Sequence, residues 1–389
     1  MDFALSDDQR ALQQAAADFA RVELAPHAAE WDATAHFPVD VIKRAGDAGF
    51  LAIYIDELHG GLGLSRLDAS LIFEQLSQGC VSTTAYLTIH NMASWMIATW
   101  GSETLRDTWL PSLISGERLA SYCLTEPGAG SDAANLRTRA VRDGEDYVLT
   151  GSKMFISGAG ATDVLVVMAR TGAPDSGAAG ISTFLVPADS AGIEYGKNEE
   201  KMGWKSQPTR LVSFDEVRVS AGYRLGEEGE GFKLAMKGLD GGRLNIASCS
   251  LGAAQHALEL ARDYLHDRKQ FGKTLASFQA LQFKFADMAT ELVSARLMVR
   301  HAAWRLDQGD PQAPAHCAMA KRLATDIGFN VCNEALQLYG GYGYIKEYPL
   351  ERLVRDTRVH QILEGTNEIM RLIASRRLFD DGVVETLQQ

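Results

Sequence analysis

"DYVLTGSKMFISGA", residues 146–159, interrupts a chain that otherwise reads as helix. Val, Ile, Phe and Tyr crowd this run and Gly, Asp and Ser punctuate it, which is the composition of a strand on a pleated, half-buried surface. "DVLVVMAR" (163–170), "GISTFLVP" (180–187) and "RLVSFDEVRV" (210–219) repeat the pattern, so a small β-domain is predicted over about 121–225. On both sides the apolar residues recur by threes and fours instead. Before the strands, Ser6 and Gln9 read as a capping box, and Leu12, Ala16, Phe19 and Val22 follow at helical spacing up to Pro26. Further helices are predicted there, broken at "HGGLGLS" (59–65) and at Pro111.

After "GEEGEGF" (226–232) three stripes follow. Leu251, Ala254, Leu258, Ala261 and Leu265 form the first; Leu281, Phe285, Met288, Leu292, Ala295 and Val299 the second; Cys317, Ala320, Ala324, Ile327, Val331, Ala335 and Leu338 the third. Long amphipathic helices joined by short links predict an antiparallel bundle. The order helix, strand, helix excludes a doubly wound sheet, which needs β and α to alternate. "GGYGY" (340–344) follows a helix and so does not read as a dinucleotide turn. No Walker, H-E-x-x-H or G-x-S-x-G motif occurs, and no metal site is predicted.

With 389 residues, 46% of them hydrophobic, the chain can bury a core and hold two or three domains. A formal net charge of −12 without a Lys/Arg run argues against nucleic acid or an anionic membrane as partner. No apolar stretch reaches the ~20 residues of a bilayer span, so no membrane insertion is expected. The acidic, polar start does not read as a leader. The location expected is the cytoplasm for a bacterial chain, or the mitochondrial matrix for a processed eukaryotic one. Five scattered cysteines, without a C-x-x-C pair, read as reduced core residues.

Four segments could carry chemistry. "YCLTEPGAGSDAANL" (122–136) is a Gly- and hydroxyl-rich loop able to bring backbone N–H groups against a flat ring or a phosphate; a plain surface loop reads equally well. Arg268 and Lys269, in a turn between two bundle helices, could hold a pyrophosphate, although a lone basic pair is more often a solvated turn. Asp240 and Arg243 lie three apart near the start of the first bundle helix, as an ion pair or facing a ligand. Glu364 sits where "VHQILEGTNEIM" (359–370) breaks its periodicity. Gly365 then reads as a helix stop and Thr366 as the next N-cap. A carboxylate set into an apolar pocket at such a junction is a usable base near neutral pH; an exposed turn residue is the plainer alternative.

"YCLTEPGAGSD" (122–132), "FISG" (155–158), "RKQFG" (268–272), "QLYGGYGY" (337–344) and "QILEGTNEIM" (361–370) together resemble the acyl-CoA dehydrogenases, over essentially the whole chain. The resemblance implies a mainly α fold with a central β-domain. It would comprise a helical domain (1–120), a β-barrel-like domain (121–230) and a C-terminal four-helix bundle (231–389), with FAD held non-covalently between the last two. It implies α,β-desaturation of an acyl-CoA, with Glu364 as the base taking the α-proton and flavin N5 taking the β-hydride. The base's own backbone N–H and a flavin ribityl hydroxyl would hold the thioester oxygen.

By the same matching, Tyr122, Leu124, Thr125, Gly130 and Ser131 line the flavin and Phe155, Ile156 and Ser157 cover another part of it. Arg268, Gln270, Phe271, Gln279, Gln337, Leu338, Gly340 and Gly341 would reach the FAD of a neighbouring subunit, with Thr366, Asn367 and Glu368 completing that site. Ser131, Asp240, Arg243 and Gly365 would contact the thioester arm or the CoA. A homotetramer and an electron-transfer flavoprotein as electron acceptor are implied as well.

The segments "STTAYLTIHNMASWM" (82–96), "GWKSQPTR" (203–210), "GGRLNIASCSLGAA" (241–254) and "RVHQILEGTNE" (358–368) resemble the branch that converts isobutyryl-CoA to methacrylyl-CoA in valine breakdown. The alternative is a short or 2-methyl-branched substrate range that is broader. The isovaleryl and long-chain branches carry their base on the helix beside Arg243, where this chain has Gly242. Width beside Glu364 is expected from Gly241 and Gly242, and a limit on depth from Tyr339 or Tyr344.

Overall fold

The computed structural model describes residues 4–380; residues 1–3 and 381–389, which the sequence reading assigns to the first and last segments, lie outside the described residues. α1 (Asp7–Phe19) starts at the expected capping box: Ser6 Oγ accepts from Gln9 N, and Ser6 N donates to Gln9 Oε1, both at 3.1 Å. A wide turn over Ala20–Leu24 follows, in which Ala25 N reaches back five residues to Ala20 O at 2.8 Å. The extra residue rotates the stripe, so Ala16, Ala20 and Leu24 are buried while Val22, which helical spacing places on the stripe, is exposed.

α2 (Ala28–Thr34), α3 (Val39–Asp47), α4 (Arg66–Gly79), α5 (Val81–Trp100) and α6 (Glu103–Ile114) complete the first part. The break at 59–65 separates α3 from α4, but Pro111 lies inside α6 and does not end it. The ring sits on the exposed face a turn beyond exposed Asp107, where water can take up the carbonyl that proline leaves unbonded.

The central strands are β1 (Ala120–Cys123), β2 (Arg139–Asp143), β3 (Asp146–Ser157), β4 (Val164–Arg170), β5 (Ile181–Pro187), β6 (Ile193–Tyr195), β7 (Thr209–Ser220) and β8 (Arg224–Leu225). They form one sheet in the order β6-β7-β3-β2-β4-β5-β8, with β1 parallel to β4 off that path. The path does not close on itself, so the domain that the resemblance made barrel-like is an open sheet. β3 slips register twice against β7, the second time between Lys153 and Ile156. That bulge puts Phe155 at φ +59 and 62% exposed, while Ile156 turns inward and is 2% exposed.

α7 (Gly231–Asp267), then the short ribbon β9 (Lys269–Gln270) and β10 (Lys273–Thr274), then α8 (Gln279–Asp307) and α9 (Ala313–Tyr339) build the C-terminal bundle. α10 (Leu350–Arg358) and α11 (Asn367–Asp380) pack on α9, and α4 reaches across to α7 and α8. The first and third stripes are buried throughout, and the second is buried from Met288 onward. Each fully buried Leu or Ile on them contributes ~1.5–3 kcal/mol by leaving water. All five cysteines are free and buried in this packing, as read. No helix among the described residues is long and apolar enough to cross a membrane.

Candidate active site

Between a single tight turn at Val359–Gln361 and α11, the chain reverses through Glu364 (φ +53) and Gly365 (φ +90). The positive φ is what favours glycine at 365; a Cβ there would also come within 2.5 Å of Met370 Cε, the end of a flexible side chain. Glu364 has no such freedom, and a left-handed residue with a side chain costs ~1–2 kcal/mol. Thr366 then caps α11: its Oγ1 accepts from Ile369 N at 3.3 Å.

The reversal turns the Glu364 carboxylate towards α7. A Cβ at Gly242 would lie 2.7 Å from Glu364 Oε2 and 3.2 Å from Met92 Sδ, so the missing side chain is the space the carboxylate occupies. Oε2 is sealed from solvent and, among the described residues, has no hydrogen-bond partner. Burial pushes the carboxyl up to about 7, with Lys321 and Arg243 pulling it back down. Among the described residues the Glu364 backbone N–H makes no hydrogen bond either.

Two sets of contacts hold this turn. On one side His360 is fully buried: its Nε2 accepts from the Trp204 indole N–H at 3.1 Å, so its proton sits on Nδ1 and is donated to Ser250 Oγ at 2.6 Å. Asp356 accepts from Trp204 N at 2.6 Å, which ties "GWKSQPTR" to the turn. On the other side Lys321 of α9, fully buried, donates to Gly365 O at 2.8 Å and to Asn367 Oδ1 at 3.0 Å. Lys321 was missed from sequence. A lysine four residues after Cys317 and three before Ala324, on the apolar stripe itself, is the signal that marks it.

The residues singled out from sequence fall into separate groups. Near Glu364 lie Gly365, Asn367, Arg243 and Asp240. Arg243 and Asp240 form the ion pair at 2.6 Å, and Arg243 Nε is left buried without a partner. Burial raises the Asp240 carboxyl against the pull of Arg243. Tyr122 of β1 also faces this region, its phenol raised by burial and then by Glu364.

Arg268, Gln270, Gln337, Leu338, Gly340 and Gly341 come together elsewhere, lining a cavity of about 660 Å³ with Tyr264 and Tyr339. Tyr339 is 18 residues beyond Lys321 on α9, so this cavity lies ~27 Å down the bundle from the carboxylate. It therefore cannot set pocket depth at the Glu364 of its own chain, and Tyr344 is 82% exposed. Gly241 gives no free width either, because a Cβ there would strike Arg66 Nη1 at 2.4 Å. That guanidinium lies 3.5 Å from the Tyr54 ring centroid, with Trp95 behind it.

The remaining residues are spread along loops. Gly130 and Ser131 are exposed, Thr125 is half-buried with its carbonyl accepting from Met154 N at 2.8 Å, and Leu124 is buried. The Ser157 carbonyl accepts from Ser121 Oγ at 2.7 Å, and Ile156 packs in the sheet core. Gln279 and Glu368 are exposed, and Phe271 is 94% exposed at φ +52. Among the described residues no group of three or more His, Cys, Asp or Glu could hold a metal ion.

The site suits a flat, phosphate-bearing cofactor. Arg268 is a forked donor at the cavity mouth, and a Cβ at Gly340, Gly341, Gly272 or Gly130 would meet nothing within 4 Å, leaving backbone open to a ligand. A helical, sheet and bundle fold with an unpartnered carboxylate oxygen between bundle and sheet is the frame of an enzyme that takes a proton from a bound ligand. Sequence profiles agree: the acyl-CoA dehydrogenase N-terminal, middle and C-terminal domains match residues 6–117, 121–217 and 229–379. The chain belongs to the acyl-CoA dehydrogenase family, and its reaction is FAD-dependent desaturation of an acyl-CoA.

It is 54% identical to the mitochondrial isobutyryl-CoA dehydrogenase of Bos taurus and 53% to that of Dictyostelium discoideum, over 97% of this chain and 90% of each relative. The solved butyryl-CoA dehydrogenase from Megasphaera elsdenii superposes with a TM-score of 0.94 at 38% identity, covering 97% of this chain and 100% of that one.

Proposed function

We propose that this enzyme converts isobutyryl-CoA to methacrylyl-CoA, with Glu364 as the base that removes the α-proton. The observation that carries the assignment is the carboxylate of half-buried Glu364: its Oε2 is sealed from solvent and unpartnered, and the group is pushed to about 7, so that it is partly ionised at neutral pH and able to take a proton. Its unbonded backbone N–H is the donor for the thioester oxygen, on which charge develops as the proton leaves. One residue thus takes the proton and steadies the enolate. Bound FAD supplies the acceptor for the β-hydride. Asp240 and Arg243 hold the thioester arm, and Tyr122 with the 124–131 and 155–157 segments orients the flavin face. Gly242 reserves room for the carboxylate, while Met92 borders it.

The 2-methyl-branched substrate rests on the relatives at 53–54% identity. A methylene is worth only ~1–3 kcal/mol in an apolar pocket, so a broader range of short or 2-methyl-branched acyl-CoA is the second reading. Anaerobic titration with isobutyryl-, butyryl-, 2-methylbutyryl- and isovaleryl-CoA, followed by flavin absorbance, separates the two. Fastest bleaching is expected with isobutyryl-CoA; faster bleaching by another thioester would move the enzyme to a sister branch.

The three-part division at 120 and 230 follows the family plan. Valine breakdown follows from the substrate, in the bacterial cytoplasm or the mitochondrial matrix, and electrons leave to an electron-transfer flavoprotein. A homotetramer is supported by exposed Phe283, Val293, Leu297 and Trp304 on one face of α8. The separation of the two residue groups along α9 supports an FAD shared between subunits. Arg268→Ala is therefore expected to lose FAD on dilution and gel filtration. Retention equal to wild type would remove Arg268 from the flavin site.

A further inference from the structure

We propose that Lys321 positions the base: its ammonium holds the Glu364–Gly365 reversal from α9, and its charge favours the ionised carboxylate of Glu364. This rests on the reading of Glu364 as the base. Lys321 has no solvent exposure, and a buried ammonium is costly unless a carboxylate compensates it. Among the described residues no carboxylate stands within ion-pair distance of Lys321, whose hydrogen bonds go to two neutral acceptors, Gly365 O and Asn367 Oδ1. Burial pulls the Lys321 ammonium down to about 8, so it is still charged at neutral pH, and of the acids that hold it up Glu364 acts most strongly, ahead of Asp326 and Glu368.

Both acceptors lie on the C-terminal side of the strained Glu364–Gly365 step. Gly365 O belongs to the Gly365–Thr366 peptide, so holding it anchors the chain one peptide beyond Glu364, at the end of the left-handed pair. Asn367 is itself locked: its Nδ2 donates to Asp326 Oδ1 at 2.7 Å, and Asp326 Oδ1 also takes Gln361 Nε2 at 2.9 Å, on the other side of the reversal. Since lysine can only donate, Asn367 must present its oxygen to Lys321. A strip of α9 from Lys321 to Asp326 thus grips both ends of the 361–367 segment.

The groups facing Glu364 are Lys321 from α9, Arg243 and Cys249 from α7, Tyr122 from β1 and Tyr54 from the α3–α4 connection. Only the first two are cations, and Arg243 is already paired with Asp240. Lys321 is the cation with no acid of its own.

The test uses FAD-loaded Lys321→Met, which lacks donor and charge, and Lys321→Gln, which keeps an N–H donor without the charge. Two quantities are read: the pH at which the Glu364 carboxyl titrates in infrared difference spectra against Glu364→Gln, without acyl-CoA, and the pH dependence of flavin reduction by isobutyryl-CoA. Removing the charge should move both midpoints up by ~1 pH unit or more. Reduction near pH 7 should fall ~10-fold or more in both, and Lys321→Gln should recover in alkali further than Lys321→Met.

A folded variant whose carboxyl titration and rate profile match wild type overturns the proposal, as does failure of both variants to fold, which would make Lys321 a stability residue alone. If Glu364→Gln itself keeps its rate of reduction, the base assignment fails instead. The two failures are therefore distinct.

Discussion

Glu364→Gln should give a yellow, folded protein that binds acyl-CoA and reduces its flavin about 10,000-fold more slowly than wild type, at the upper end of what a positioned general base contributes. The amide keeps the shape and volume of the carboxyl, so the space against Gly242 and Met92 stays filled. It cannot accept the α-proton. The backbone N–H of residue 364 remains, which preserves thioester binding and confines the loss to the chemical step.

In wild type the rate of reduction should rise with pH through about 7, where Glu364 ionises, and this limb should vanish in the variant. Stability moves the other way. The folded carboxyl holds its proton more tightly than the unfolded one, so stability falls as pH rises from the unfolded value of 4.5 to about 7. Glu364→Gln escapes that fall and should melt no lower than wild type at pH 8. Stopped-flow reduction and thermal unfolding check both; near-native reduction would remove Glu364 from the mechanism.

Glu364 was legible because a charged residue at a break in helical periodicity is visible in one dimension, and because Gly365 and Thr366 are local stop and start signals. The bundle stripes were legible for the same reason. Lys321 was not, because a stripe is found from its apolar members and a lysine among them is passed over. Gly241 misled: its absent side chain suggests room, but Arg66, 175 positions earlier, fills it, and no local pattern carries that contact. The wide turn after Phe19 depends on backbone angles that several sequences satisfy, so Val22 faces opposite to what plain periodicity expects, and the bulge at Phe155, equally illegible, turns the Ile156 side chain into the sheet core. The loop at 122–136 needed the family resemblance, since its composition fits a surface turn equally well.

Lys153→Met should cost ~3–5 kcal/mol of stability and release FAD, the effect of leaving a buried charge without its partner. Lys153 is fully buried on β3, and its Nζ donates to Glu126 Oε1 at 2.8 Å and to Leu124 O at 3.1 Å. Glu126 also accepts Arg137 N at 2.6 Å and Thr138 N at 2.9 Å. Burial alone would raise its carboxyl, but Lys153 and the two amides hold it below the ordinary value.

This one pair pins the start of the glycine-rich loop to the sheet below it and to the strand that follows it. A depressed carboxyl contributes stability above pH ~4.5 and loses it as pH falls, so the Glu126 part of the contribution is full at neutral pH. Without Lys153 the carboxyl is costly when charged and tolerable when protonated. The deficit of Lys153→Met should therefore be larger at pH 7 than at pH 5. Adding Glu126→Gln, which removes the orphan charge although its single amide oxygen can keep only one of the two backbone amides, should restore part of the loss at pH 7. Urea unfolding of wild type, the two single variants Lys153→Met and Glu126→Gln, and the double variant at both pH values, with FAD retention measured alongside, tests this. A Lys153→Met deficit that is equal at pH 5 and pH 7 would mean that the packing of the lysine stem, and not the charge, holds the loop.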